Sequence, residues 1–200
     1  MNTELLLALA LFSMVASITP GPNNLMLLTS GVNVGFQRTL PHIAGVWIGF
    51  FVMLLAVGGG LGEVFQRWPA LYEWLKWCGA AYLLYLAWRV ATAAAPKPAE
   101  SEPGSQRVMG FWGAAAFQWI NPKAWVMAVS AFSIYFVPGS GLLAVFLIAL
   151  VIAVVNLPCV SLWALCGAHL RGFLQRPRNL RLFNGVMASL LVLSLVPLAL

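Results

Sequence analysis

Lys123 is the residue of this sequence with the most chemistry to explain, because it follows Asn121 and Pro122 inside a long apolar run. An ammonium near the middle of a membrane span costs about 2.5–3.5 kcal/mol even on the lenient insertion scale. With Asn121 as N-cap and Pro122 as first helical residue, Lys123 falls in the first turn of a helix, beside its positive end. A cation there needs an anion or several carbonyl oxygens. The acidic residues, Glu4, Glu63, Glu73, Glu100 and Glu102, all fall at run ends or in loops, so a transported carboxylate fits the position. Carbonyls freed at its own break, near Phe117 and Gln118, are the alternative, as is a path to water along the stem of the side chain.

A second interruption lies at Thr19-Pro20-Gly21-Pro22-Asn23-Asn24, between the apolar runs 5–18 and 25–28. Pro20 and Pro22 lack a backbone N–H and clash with the carbonyls of Ala16 and Ile18, so the helix must break. Thr19 and Gly21 precede prolines and are driven from helical angles, whereas Pro22 suits the first position of a new helix. Its first amides, around Asn23, Asn24 and Leu25, stay free. Asn23 and Asn24 both donate and accept, which suits the ammonium and carboxylate of an amino acid or the capping of freed backbone. Asn156, two residues before Pro158, is another polar group at a predicted kink, and Asn184 opens the last apolar run. His42 and His169 read as exposed or capping residues near cytoplasmic ends. The candidate substrate-binding residues are therefore Thr19, Pro20, Gly21, Pro22, Asn23, Asn24, Asn121, Pro122, Lys123 and Asn156.

The elements that position these groups follow from composition. A chain of 200 residues with 62% hydrophobic and 8% charged residues cannot cover a globular surface with polar side chains. Apolar runs recur near residues 4–30, 40–62, 70–93, 109–136, 141–168 and 180–200, each about the ~20 residues that cross ~30 Å of hydrocarbon. The first run lacks the basic flank of a signal peptide and reads as a retained span. The net charge of +6 comes from scattered Lys and Arg, which excludes nucleic acid as a partner and fits retention of basic loops in the cytoplasm. Arg38, Arg89, Lys97, Arg107, Arg171, Arg176, Arg178 and Arg181 fall on one side, against Arg67 and Lys76 on the other. Both termini are thereby predicted to be periplasmic.

The polar stretch 94–108 reads as a cytoplasmic linker between a first repeat (1–93) and a second (109–200) within one transmembrane domain, 1–200. An odd number of crossings inverts the second group against the first. The expected fold is an all-α membrane protein of six transmembrane helices, two inverted three-helix repeats with helices 1 and 4 broken. Paired interruptions in the two halves point to a midplane substrate site. Gly45 and Gly49 read as a small-xxx-small packing face, and the early glycines Gly79 and Gly185 read likewise. Trp68, Trp74, Trp77 and Trp88 suit membrane interfaces. Cys78, Cys159 and Cys166 form no paired thiol motif and have no nearby histidines, so they read as packing residues, with no metal and no cofactor implied.

Thr19-Pro20-Gly21-Pro22-Asn23, the run Gly79-Ala80-Ala81-Tyr82-Leu83-Leu84-Tyr85-Leu86-Ala87-Trp88 and Asn121-Pro122-Lys123 together resemble the LysE/RhtB family of bacterial amino-acid exporters over nearly the whole chain. The resemblance is greatest to the cysteine/O-acetylserine exporter branch. It implies export of an amino acid across the inner membrane, coupled to protons; a homodimer is compatible with it. Many relatives carry an acidic residue after a glycine in the second span, where this chain has Gly49-Phe50. Lacking that carboxylate, the chain is better suited to a small neutral substrate (cysteine/O-acetylserine, threonine/homoserine or leucine-like) than to a dibasic one. A metal-cation exporter and a membrane-embedded redox protein are the alternatives, and neither finds the carboxylates, clustered histidines or paired thiols it needs.

Overall fold

The computed structural model describes residues 3–61, 67–92, 109–137 and 139–193, and among them every regular element is helical. The linker expected at 94–108 lies outside the described residues, as do Glu63, Glu100, Glu102 and the end of the last run.

The first apolar run forms two helices, α1 (Thr3–Ile18) and α2 (Pro22–Val34), bent by 56° at the predicted break. Helix α3 (Phe36–Ala56) follows Gly35 and runs on into a π turn, Val57–Leu61. The turn contains three consecutive glycines, 58–60, and Gly60 takes a φ of 116° that a side chain would resist. Helix α4 (Pro69–Ala91) completes the first half. The second half opens with the other predicted break: α5 (Phe111–Phe117), a 3-10 turn (Gln118–Ile120) and α6 (Pro122–Tyr135). A long helix, α7 (Gly141–Leu170), carries Pro158 inside it, and α8 (Pro177–Leu193) closes the described chain.

Phe36–Leu61 and Gly141–Leu170 are long and apolar enough to cross a membrane, and the bent pair α1–α2 has the length and apolar character of a third span when its two helices are taken together. The other expected spans lack that standing as single helices, each for a physical reason. Helix α4 includes Glu73, Lys76 and Arg89; the fourth run is split into pieces of 7 and 14 residues; and α8 has 17 described residues. Large apolar side chains stand exposed on most of the described helices, with Trp112 82% and Leu142 77% exposed, a surface suited to lipid. Trp68, Trp74, Trp77 and Trp88 stand on that outer surface. Cys78 and Cys166 are also exposed, so only Cys159 is the buried packing residue expected of all three.

Packing is reciprocal between the halves. The bent pair α1–α2 packs on α7, the long helix of the second half, while α5 of the second broken run packs on α3; α3 meets α7, and α4 meets α8. Small residues bring these backbones together. A Cβ on Gly45 would overlap the Phe111 carbonyl and one on Gly49 would sit 2.6 Å from Ala115 Cα, so the expected small-residue face is the seam between α3 and α5. Gly31 and Gly167 perform the same service between α2 and α7, against Ala164 and Leu28. Gly79 abuts the Ile120 carbonyl, but Gly185 has nothing within 4 Å and is no packing contact.

His42 also departs from expectation. It is 1% exposed and shares a 2.9 Å hydrogen bond with Ser30 Oγ, because it lies on the face of α3 that meets α2. His169 is exposed, with Nδ1 2.9 Å from the Leu165 carbonyl.

The α2–α7 seam makes a direct prediction. Gly167→Leu, which drives a side chain into the Leu28 carbonyl, should cost more than the ~1–3 kcal/mol of ordinary overpacking and remove most monodisperse protein in size-exclusion chromatography. Gly185→Ala should leave the unfolding temperature unchanged.

Candidate functional site

Each break leaves carbonyl oxygens without amide partners, and in an apolar surrounding each must find a donor. At the first break the donors are side chains. Thr19 Oγ1 donates to Ala16 O at 3.0 Å, and Trp163 Nε1, from α7, donates to Ile18 O at 3.2 Å. These are the two carbonyls that Pro20 and Pro22 were predicted to free. Asn24, 3% exposed, turns its Nδ2 back to Ser17 O at 2.7 Å and Thr19 O at 2.8 Å.

The second break is built differently. Asn121 caps α6, its Oδ1 accepting from Lys123 N at 3.1 Å, and Trp125 Nε1 donates to Trp119 O at 2.9 Å. With its own turn so closed, Lys123 reaches across to the first break. Its Nζ donates to Thr19 O at 2.6 Å, Thr19 Oγ1 at 2.9 Å and Pro20 O at 3.4 Å, a use for each of the three N–H groups of an ammonium. The carbonyls near Phe117 and Gln118, one expected source of partners, are not the ones used. Gly21 makes the crossing possible, since a Cβ there would lie 2.6 Å from Lys123 Cδ.

A second bridge joins the breaks. Asn23 Nδ2 donates to Gln118 Oε1 at 2.8 Å, and Gln118 Nε2 donates to Ala114 O at 2.8 Å and to Asn23 Oδ1 at 3.3 Å. Gln118 is fully buried. Sequence reading missed this role; an amide inside the apolar run just before a break was the available signal.

The breaks flank a half-open cavity whose interior, ≈ 30 Å³, has space for about two waters. Of the candidate residues, Gly21, Asn23, Asn24, Asn121, Lys123 and Asn156 line it. Thr19, Pro20, Pro22 and Pro122 shape the bends instead. Ser17 is a lining residue that sequence reading missed. Val46, Phe50, Met127 and Val160 form the apolar wall, so the position where many relatives are expected to hold a carboxylate is here a phenyl ring facing the cavity. Among the described residues Lys123 is the one charged group in the lining. Asn156 is 5% exposed, and its Nδ2 donates to Ser17 Oγ at 3.0 Å while its Oδ1 has no partner.

Two opposed helix breaks, bridged by a lysine and flanking a cavity between apolar helices, suit a transporter. The family of LysE type translocators matches residues 14–199, and the chain belongs to that family, as its three motifs led one to expect. It is a membrane translocator and not an enzyme. Among its relatives, the cysteine/O-acetylserine efflux proteins of Salmonella choleraesuis (strain SC-B67) and Escherichia coli (strain K12) are each 33% identical to it over 195 residues, 96% of both chains. No solved structure matches the chain.

The two buried asparagines are separable by experiment. Asn24→Leu strips the donor from two carbonyls and should destabilise the protein by roughly 2–4 kcal/mol, read as a lower unfolding temperature. Asn156→Leu removes a single hydrogen bond and an amide whose oxygen is already unpaired, and should lower that temperature far less.

Proposed function

We propose that this protein is a secondary exporter that carries a small neutral amino acid, cysteine or O-acetylserine, out of the cytoplasm across the inner membrane, driven by the proton gradient. The observation that carries this reading is the charge of the cavity: one ammonium, several amides and no carboxylate in its described lining. Such a lining attracts a single carboxylate and leaves a second cationic group on a substrate without a counter-charge. The efflux proteins to which the chain is 33% identical carry names that fit the same substrates. The described residues hold no cluster of three His, Cys, Asp or Glu to favour the metal-cation alternative. Redox chemistry has one buried thiol, Cys159, outside the cavity lining.

In this reading the chain has six spans in two inverted repeats, with both termini periplasmic. The reciprocal packing of each broken run on the other half's long helix supports the repeat. The cleft is half open and its interior of ≈ 30 Å³ seats about two waters, so full enclosure of an amino acid requires the walls to move. Lys123 supplies the link between occupancy and movement. All three of its N–H groups are engaged by the first break, and an arriving carboxylate displaces the longest contact, the 3.4 Å bond to Pro20 O, first. Substrate thereby loosens the tie between the breaks, and alternating access follows from hinging at the two bends.

Lys123→Met keeps the aliphatic stem beside Gly21 but removes the charge. It should reduce cysteine efflux from proteoliposomes at least about tenfold, the effect of losing one charge-assisted hydrogen bond, while the purified protein remains monodisperse. Undiminished efflux by the folded variant removes Lys123 from the mechanism. Phe50→Glu places a carboxylate in the apolar wall and should shift selectivity toward lysine, measured as the ratio of lysine to cysteine efflux.

A further inference from the structure

The ends of the cavity are chemically unequal. Helix α6 begins under a side-chain cap, whereas α2 begins at Gly21 with none. The first backbone hydrogen bond at that end of α2 is from Leu25 N to Gly21 O, at 3.0 Å. The amides of Asn23 and Asn24 precede it, and both residues line the cavity. An uncapped helix start carries partial positive charge and free donors, a combination that favours an anion. Lys123 adds a full charge beside it, its Nζ 3.1 Å from where a Gly21 Cβ would stand. Nothing acidic in the described lining offsets this charge.

A second observation comes from α7, on the same cavity. Asn156 is buried, lines the same cavity, and has one amide oxygen without a partner. A buried acceptor left unpaired is costly, and an arriving donor recovers that cost. Asn156 does not swing freely, because its Nδ2 is tied to Ser17 Oγ. An oxygen held in this way suits an ammonium. The apolar wall, Phe50 and Met127 among it, offers no hydrogen bond and leaves room for a side chain.

We infer that the cavity reads its substrate as a zwitterion of fixed polarity, with the carboxylate on the uncapped start of α2 beside Lys123, the α-ammonium on Asn156 Oδ1, and the side chain against Phe50 and Met127. This rests on the exporter reading above and adds to it a requirement for both ends of the amino acid. Asn156 becomes the residue that selects free α-amino acids over molecules with the same carboxylate and side chain but no amine. The side chain is judged by size and charge alone.

The test compares competitors of ³⁵S-cysteine efflux from proteoliposomes of the full chain under reducing conditions. 3-Mercaptopropionate is cysteine without its ammonium, and cysteamine is cysteine without its carboxylate, so neither adds bulk. Each should compete about tenfold or more weakly than L-cysteine, the order of one charge-assisted hydrogen bond. In Asn156→Leu the preference over 3-mercaptopropionate should shrink to about twofold or less while that over cysteamine persists; Asn156→Asp, which keeps an acceptor oxygen, should retain both. Wild-type protein inhibited equally by 3-mercaptopropionate and L-cysteine overturns the ammonium site, although the cysteine efflux being inhibited leaves the exporter reading intact. Equal inhibition by cysteamine overturns the carboxylate site in the same way. Absence of cysteine efflux from the wild type overturns both readings together.

Discussion

The bond from Lys123 Nζ to the carbonyl of Thr19, 2.6 Å long, resolves two problems that neither break can resolve alone. The first break has carbonyl oxygens in excess, because the backbone leaves helical geometry at Thr19–Gly21 and the Thr19 and Pro20 carbonyls lose their intrahelical partners. The second has a cation in excess, placed by Pro122 and Asn121 at the positive end of α6. Each fault is worth a few kcal/mol in an apolar setting, and each is the remedy for the other. No carboxylate takes part. The two helix breaks must therefore face one another, and the close seams of α3 on α5 and α2 on α7 follow as the packing that brings them there.

The halves are similar in plan and unequal in chemistry. Both runs break at a proline that starts a new helix, Pro22 in one and Pro122 in the other. Asn121 caps the second helix with its side chain, while Gly21, in the corresponding position before the proline, has none to offer. Glycine there is dictated by Lys123, whose side chain occupies the space a Cβ would take. The lysine thus satisfies the carbonyls of the first break and, by requiring glycine, leaves the start of α2 open. A symmetric pair of capped breaks would present amide oxygens and little else. The inequality is what gives the cavity an electropositive end.

Much of this was legible in the sequence, because its signals are local. A proline's effect is felt within four residues, so both breaks, their first helical residues and even the freed carbonyls of Ala16 and Ile18 follow from the chain itself. Lys123 and Asn156 stood out as polar groups in apolar runs. What sequence could not supply was the partner. Asn23 meets Gln118 across 95 positions and Trp163 meets Ile18 across 145, and no periodicity encodes such a pairing. The same limit hid the burial of His42, which depends on where α2 lies, and the openness of Gly185, which resembles Gly79 in its flanking residues but not in its neighbours. The clearest spans, α3 and α7, carry a single charged residue between them, Arg38 in the first turn of α3. Helix α4 is less distinct because Glu73, Lys76 and Arg89 lie within it.

The seams around the cavity bear on how it opens. Between α2 and α7 the backbones meet at Gly31 and Ala164 and at Gly167 and Leu28, with Leu27 buried in one cluster with Val160 and Ala164 beside them. Lipid removes most of the hydrophobic cost of parting two helices, since acyl chains are as apolar as the surfaces they replace. The resistance to opening then lies in the few polar ties that cross the site: Lys123 to Thr19, Asn23 to Gln118, Asn156 to Ser17 and Trp163 to Ile18. Each of these ends on the segment 17–23, so a ligand that exchanges partners with that segment acts on the whole set at once. A cleft whose interior is only ≈ 30 Å³ can therefore serve a larger substrate: the hydrogen bonds that hold its walls together are ones the substrate itself can replace.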